Sequence, residues 1–194
     1  MKRINLIVFT MIFAMLGISV SAQNVDRYTG TALVYGSGFN TRTVTANFEI
    51  RLNGYTSDAE TERYGALLKD GGQSKLAQEL SKINLGKVQF DGRLGPTVVA
   101  AFQGKDGDET KLTVVFERWL SFGELRRGAR STDYPFGVIE INFEPGKNEG
   151  QGTFIGAARI RLDKNDGRDE IELEGFGSFP GKVFGVKQVE NRLP

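Results

Sequence analysis

The stretch Arg118 to Ile141, RWLSFGELRRGARSTDYPFGVIEI, holds the densest set of residues able to do chemistry in this 194-residue chain. It contains the only Trp, Trp119, and three arginines, Arg126, Arg127 and Arg130, within five positions. Guanidinium forks so close together can clamp a carboxylate, phosphate or sulfate through paired hydrogen bonds. Trp119 and Tyr134 can stack on a sugar or an apolar ring. With Arg118, Glu124 and Asp133 these residues form a candidate binding set. The plainer reading is a loop between two strands. In it the arginines face solvent or pair with Glu124 and Asp133, and the aromatic side chains plug the end of a barrel. Connecting segments carry function often enough to keep the first reading alive.

Carboxylates offer a second chemistry. Glu117, Glu124, Asp133 and Glu140 flank the same stretch, and two carboxyl groups at a suitable separation hydrolyse glycosidic bonds. Beside so many arginines, ordinary ion pairs are the simpler expectation. The chain has no His and no Cys, and its three Met (Met1, Met11, Met15) lie in the first fifteen residues. A nucleophile activated by imidazole is therefore excluded, as are disulfides, and the usual ligands of zinc, copper, haem and iron–sulfur sites are missing. No metal or cofactor is expected. The acidic run Asp163 to Glu170 has the flavour of a calcium loop but fails its spacing, because Leu162 and Lys164 fall at the first and third ligand positions. Gly36-Ser37-Gly38 separates two strands and opens no helix, so it is not a phosphate loop. A net charge of +1 gives no strong pull towards nucleic acid.

Residues 1–22 have the form of a secretory signal peptide. Lys2 and Arg3 begin it, an apolar run extends from Ile4 to Val20, and Val20-Ser21-Ala22 offers a cleavage site before Gln23. Cleavage leaves residues 23–194 as a single β-rich domain with a net charge of −1 and no further apolar run of membrane-spanning length. The expected location is periplasmic or extracellular.

The elements that must position these side chains are mostly strands. Short runs rich in Val, Ile, Phe and Thr are separated by glycines. Thr43–Leu52 alternates cleanly, with Phe48, Ile50 and Leu52 on one face and Asn47, Glu49 and Arg51 on the other. Further strands are expected at 29–35, 87–91, 97–103, 111–118, 137–144, 153–162, 170–175 and 182–187, with Asp106-Gly107 as a hairpin turn. Between the second and third strands the period changes. Ser57 and Glu60 form a capping box, Tyr64, Leu67 and Leu68 recur at helical spacing, and Gly71-Gly72 separates them from Leu76, Leu80 and Ile83. A helical hairpin over 57–84 is the reading, with one longer kinked helix as its alternative. About nine antiparallel strands then close as a barrel or sandwich, a barrel being preferred. Sparse girdle aromatics argue against an outer-membrane barrel.

The central stretch resembles a group of exported bacterial proteins of unknown function. The likeness rests on Arg118, Leu120, Ser121 and Phe122, on Ser131-Thr132-Asp133-Tyr134-Pro135-Phe136 running into Gly137–Ile141, and on Gly150-Gln151-Gly152. It implies export and carries over no catalytic residue.

Three functional classes follow. The first is a non-catalytic binding or interaction module of the cell envelope working through residues 118–136. The second is a carrier of an apolar small molecule inside the barrel, and the third a carboxylate-based hydrolase. The partner would be a small molecule or an envelope protein, not nucleic acid. Replacing Arg126, Arg127 and Arg130 together by Ala is expected to leave the thermal transition cooperative while abolishing anion or partner binding. Loss of cooperative unfolding would make the three arginines structural instead.

Overall fold

Strand-forming runs whose apolar residues alternate need a second layer to bury them, and here most of them supply it for one another by curling into a barrel. The computed structural model describes residues 25–35, 43–118, 133–165, 168–176 and 180–189. Its elements are β1 (Asp26–Val34), β2 (Val44–Leu52), α1 (Asp58–Leu80), β3 (Gly86–Phe90), β4 (Thr97–Asp106), β5 (Glu109–Glu117), β6 (Phe136–Phe143), β7 (Gly150–Asn165), β8 (Arg168–Gly175) and β9 (Gly181–Val189). Eight strands run in the order β6-β5-β4-β3-β2-β1-β9-β7, and β7 returns to pair with β6, closing an antiparallel barrel. Gly107, at φ 61°, turns β4 into β5 where Asp106 faces Glu109, a position at which a left-handed residue matches the twist of the strands.

The ninth strand lies outside this circle. β7 has sixteen residues. Gln151 to Ala158 pair with β6, whereas Ala158 to Asn165 pair with β8. The second half of β7 therefore leaves the barrel wall as one strand of a two-stranded ribbon. Ile160 faces Leu173 and Leu162 faces Ile171 across it, while Arg159 faces Glu174 and Arg161 faces Glu172. Alternation gives the ribbon one apolar and one charged face.

Among the described residues there are two apolar cores. The barrel interior is occupied by Tyr28, Phe48, Ile50, Leu52, Val88, Leu112, Val114, Phe116, Ile139, Ile141, Val183 and their neighbours, with Phe90, Phe143 and Phe154 packed against them. An eight-stranded barrel is just narrow enough to be filled in this way. On β2, Glu49 and Arg51 face outward, where Glu49 pairs with both Arg27 and Arg51. An apolar interior is the reverse of the polar lumen of a membrane barrel, and no helix among the described residues is long and apolar enough to cross a membrane. Inside the barrel the Tyr28 hydroxyl lies 3.0 Å from that of Tyr55, which donates to Asp26 at 2.6 Å, so the buried phenol keeps a partner.

The second core lies outside the barrel. A register shift between Val98 and Ala100 turns both Val99 and Ala100 outward. With Val115, Phe136 and Val138 they make an apolar outer wall on β4, β5 and β6, which is covered by Tyr64, Leu68, Leu76 and Leu80 of α1. The helix thus packs on the wall of the barrel and is not a lid on its mouth.

The expected helical hairpin is replaced by one helix, α1, sharply bent at Gly72 (φ 64°, ψ −169°). The Gly71-Gly72 pair does not open into a loop, because a single residue makes the corner. Arg63 and Glu79 would stand about 24 Å apart along a straight helix, yet they form an ion pair at 2.8 Å. The start of the helix follows the sequence expectation. Ser57 caps it, and Glu60 accepts from the Ser57 backbone N–H at 2.8 Å.

Phe136 is buried, but in the outer layer beneath α1 and not as a plug in the barrel end. Phe136→Ala is expected to cost about 3–5 kcal/mol, measured by urea titration. A near-neutral value would show that the outer layer is not a packed core.

Candidate functional site

The wall, the helix and the ribbon meet at an angle that leaves a gap. An apolar cleft of about 270 Å³ lies between them. Tyr64, Gly65, Leu68 and Leu80 of α1 form one side, Ala100, Phe102 and Val115 the barrel side, and Ile160, Ile171 and Leu173 the ribbon side. Ile171, 59 % exposed, sits at its rim. Polar atoms enter the lining chiefly at Thr61, Thr113 and Glu140, and Glu140 is paired with Lys111 at 3.2 Å. This space lies outside the barrel, beneath the segment expected to be helical, and not among the phenylalanines of the interior.

Gly65 is the telling residue in the lining. It sits within α1, where glycine costs about 0.5–1 kcal/mol relative to alanine. A Cβ added there would meet no atom within 4 Å. The absent side chain is therefore not required by close packing, and what it leaves is part of the cleft.

A polar recess of about 900 Å³ adjoins the cleft and shares Leu68 and Ile160 with it. It forms where α1 bends, and its charged lining is Lys69, Asp70, Asp133, Arg159 and Arg161. Gln73, immediately after the bend, holds the corner together. Its Nε2 donates to the Asp133 carbonyl at 2.8 Å, and its Oε1 accepts from the Ile160 N–H at 2.8 Å. The side-chain amide takes the place of a strand, because β6 pairs with β7 only as far as Ala158.

The ribbon's charged face supports the same corner. Arg159 pairs with Asp133 at 3.3 Å and lies over the Tyr134 ring at 4.7 Å. Tyr134 is 8 % exposed, packs against Phe176 at 5.1 Å between ring centroids, and donates its hydroxyl to Glu174 at 2.5 Å. Glu174 also accepts from Arg161. The Tyr134 hydroxyl first, then the positive charges of Arg161 and Arg159, hold the Glu174 carboxyl below the usual carboxylate range.

Of the residues singled out from sequence, Trp119, Glu124, Arg126, Arg127 and Arg130 lie outside the described residues. Asp133 and Tyr134 are brought together, in the company of Gln73, Arg159, Arg161 and Glu174. None of those four stood out in sequence, because they come from the bend of α1 and from alternating positions on the ribbon. Tyr134 lies against the ribbon and not in a barrel mouth. The Arg118 backbone N–H donates to the Pro135 carbonyl at 2.9 Å, extending the β5–β6 ladder past its last paired residues. Among the carboxylates considered for hydrolysis, Asp133 and Glu140 stand in ion pairs with Arg159 and Lys111. Among the described residues no group of three or more acidic side chains could hold a metal ion.

No family model, curated protein or solved structure matches the chain.

The depressed Glu174 value has a definite sign in stability. The folded form binds this proton less readily than the unfolded chain, so the contribution is present above the ordinary glutamate pKa of about 4.3 and is lost as pH falls through the lower folded value. Glu174→Gln is therefore expected to lower Tm at neutral pH, with the gap to the native protein closing in strongly acidic buffer. A gap independent of pH in differential scanning calorimetry would show that the Glu174 charge is not what the contact uses.

Proposed function

We propose that this is an exported, non-catalytic binding protein of the cell envelope that receives a small apolar group in the cleft beneath α1. The observation that carries the reading is Gly65, which leaves open space in a helix wall that alanine or leucine would otherwise stabilise. The volume corresponds to about nine water-sized groups, which suits an alkyl chain of about eight carbons or a single aromatic ring. Apolar walls with a few polar atoms are the usual make-up of a small-molecule site. Export is supported by Lys2 and Arg3, the apolar run to Val20 and the small residues before Gln23, and by the likeness of the Arg118–Ile141 stretch to exported proteins. The ion-paired state of Asp133 and Glu140 gives hydrolysis no support.

This reading differs from a carrier with its ligand inside the barrel. The interior positions are taken by Phe48, Phe116, Phe90, Phe154 and their aliphatic neighbours, which leaves the helix–wall cleft as the apolar space on which the proposal rests.

The test is calorimetric titration of the protein with 1-octanol, alongside Gly65→Leu. Saturable binding is expected to the native protein. The variant is expected to bind at least about tenfold more weakly, a loss of about 1.4 kcal/mol, while its Tm is equal or higher, because leucine is the better helix former. Absence of saturable binding to the native protein, or unchanged binding to the variant, would overturn the proposal.

A further inference from the structure

The helix covers the outer side of β4, β5 and β6, and the outer faces of β1, β2 and β3 lie beyond it. There Arg27 stands directly across from Arg51, and Arg51 directly across from Lys87. Like charges opposed across neighbouring strands destabilise a sheet. Glu49 offsets part of this by pairing with both arginines. Lys87 is exposed and has no side-chain partner among the described residues. The Arg27 Nε is buried without a hydrogen-bond partner, a further cost. Folding alone does not ask for such an arrangement. We infer that this face binds an acidic oligosaccharide, its carboxylates along Arg27, Arg51 and Lys87 and its sugar rings running from there towards Phe184. The site is separate from the cleft under α1 and does not depend on the reading of that cleft.

Alternation turns Arg27, Glu49, Arg51 and Lys87 outward, because Tyr28, Phe48, Ile50, Leu52 and Val88 occupy the interior. Those four are the ionised side chains on the outer faces of the three strands, an excess of two positive charges. Asp26 alternates to the other face, where Tyr55 and Gln188 hold it. On β9, Lys187 is matched by Glu149 at 2.8 Å. Asp91 and Arg93 stand together in the turn after β3 and add no net charge. Glu49 also fixes the arginines without using them up. It takes the Nε of Arg51 and one terminal nitrogen of Arg27. Both terminal nitrogens of Arg51, whose side chain is 52 % exposed, stay open among the described residues. A guanidinium fork held in this way is set for a carboxylate.

The sugar rests on what lies beside the row of cations. A depression of about 390 Å³ has Thr29, Thr31, Asn47, Glu49 and Gln89 as its polar lining. Thr31 donates to the Asn47 side chain at 3.4 Å, which leaves the Asn47 amide nitrogen open. Thr29 and Gln89 have no side-chain partner among the described residues. Hydroxyls and amides supply both donors and acceptors. They suit a ligand rich in hydroxyls and not the hydrocarbon boundary of a bilayer. Phe184, 45 % exposed, faces Thr31 from β9. Thr31 lies four residues, or about 13 Å, from Arg27 along β1. The Phe184 ring thus offers an apolar platform farther from the cations than a single sugar ring reaches.

The experiment is calorimetric titration of the protein with tetramers of galacturonate and of mannuronate, with their methyl esters, and with tetraglutamate. Saturable binding of a uronate tetramer is expected, at least about tenfold tighter than its neutral methyl ester, the worth of one charge-assisted hydrogen bond. Tetraglutamate has the carboxylates but no rings, and is expected to bind at least about tenfold more weakly. The uronate complex should weaken in about 1 M salt, where screening is short-ranged. Arg51→Gln and Lys87→Gln should each reduce the preference for acid over ester. Lys87→Gln should keep or raise Tm, because it relieves the like-charge row. Phe184→Ala should weaken acid and ester alike. No saturable binding of either uronate, or esters bound as tightly as acids, would overturn the inference. A preference unchanged in both glutamine variants would overturn its placement on this face. Tetraglutamate bound as tightly as the uronates, or uronate binding unchanged in Phe184→Ala, would overturn the sugar and make an acidic polypeptide the ligand.

Discussion

The pairing of β6 with β7 is the constraint on which the rest of the structure depends. It closes the barrel, and closure fixes which faces of β4, β5 and β6 point inward. Leu112, Val114, Phe116, Ile139 and Ile141 then go to the interior. The same strands carry Val99, Ala100, Val115 and Val138 on the opposite face. A wall that is apolar on both sides cannot be left facing water. At about 25 cal/mol for each Å² of apolar surface, its outer side is a strong reason for a helix to lie on it. The cover supplied by α1 and the ribbon follows from closure.

That cover is made from short pieces, and this determines its shape. A straight helix of 23 residues would be about 35 Å long. Gly72 divides it at a single residue, so that Tyr64 and Leu68 on one side of the corner and Leu76 and Leu80 on the other reach the same wall. The corner exposes the edge of β7, and Gln73 answers with an amide that bonds both Ile160 and Asp133. The polar recess is what remains of that edge once one side chain has covered part of it.

Much of this was legible in the sequence. Nine strands were placed close to their observed limits, because alternation over five or more residues is a direct consequence of a half-buried strand. The capping box at Ser57 and the turn at Gly107 were equally readable, since each depends on neighbours in the chain. The outer core was harder to see. Thr97 to Phe102, TVVAAF, is continuously apolar, the mark of a strand buried on both faces, but an isolated run of that kind does not say what covers it. The corner at Gly72 was ambiguous for a related reason. A Gly-Gly pair permits both a loop between two helices and a one-residue bend, and tertiary packing decides between them. Gln73, Arg159, Arg161 and Glu174 were illegible as a group, because nothing local joins position 73 to positions 159–174.

The cleft follows from the same geometry and needs no separate device. The ribbon presents Ile160, Leu162, Ile171 and Leu173 on one face because its strands alternate, and it can meet α1 only where β7 runs on past β6. Helix, wall and ribbon are three surfaces of different curvature, and such surfaces leave a gap unless one side chain is large enough to fill it. The position best placed to do so on α1 is Gly65, with nothing within 4 Å of where its Cβ would stand. Alanine there would improve the helix, its Cβ meeting no atom within 4 Å, and leucine too is a better helix former than glycine. A sequence optimised only for stability would be expected to use one of them. Glycine at that point makes sense if the space itself is what is used.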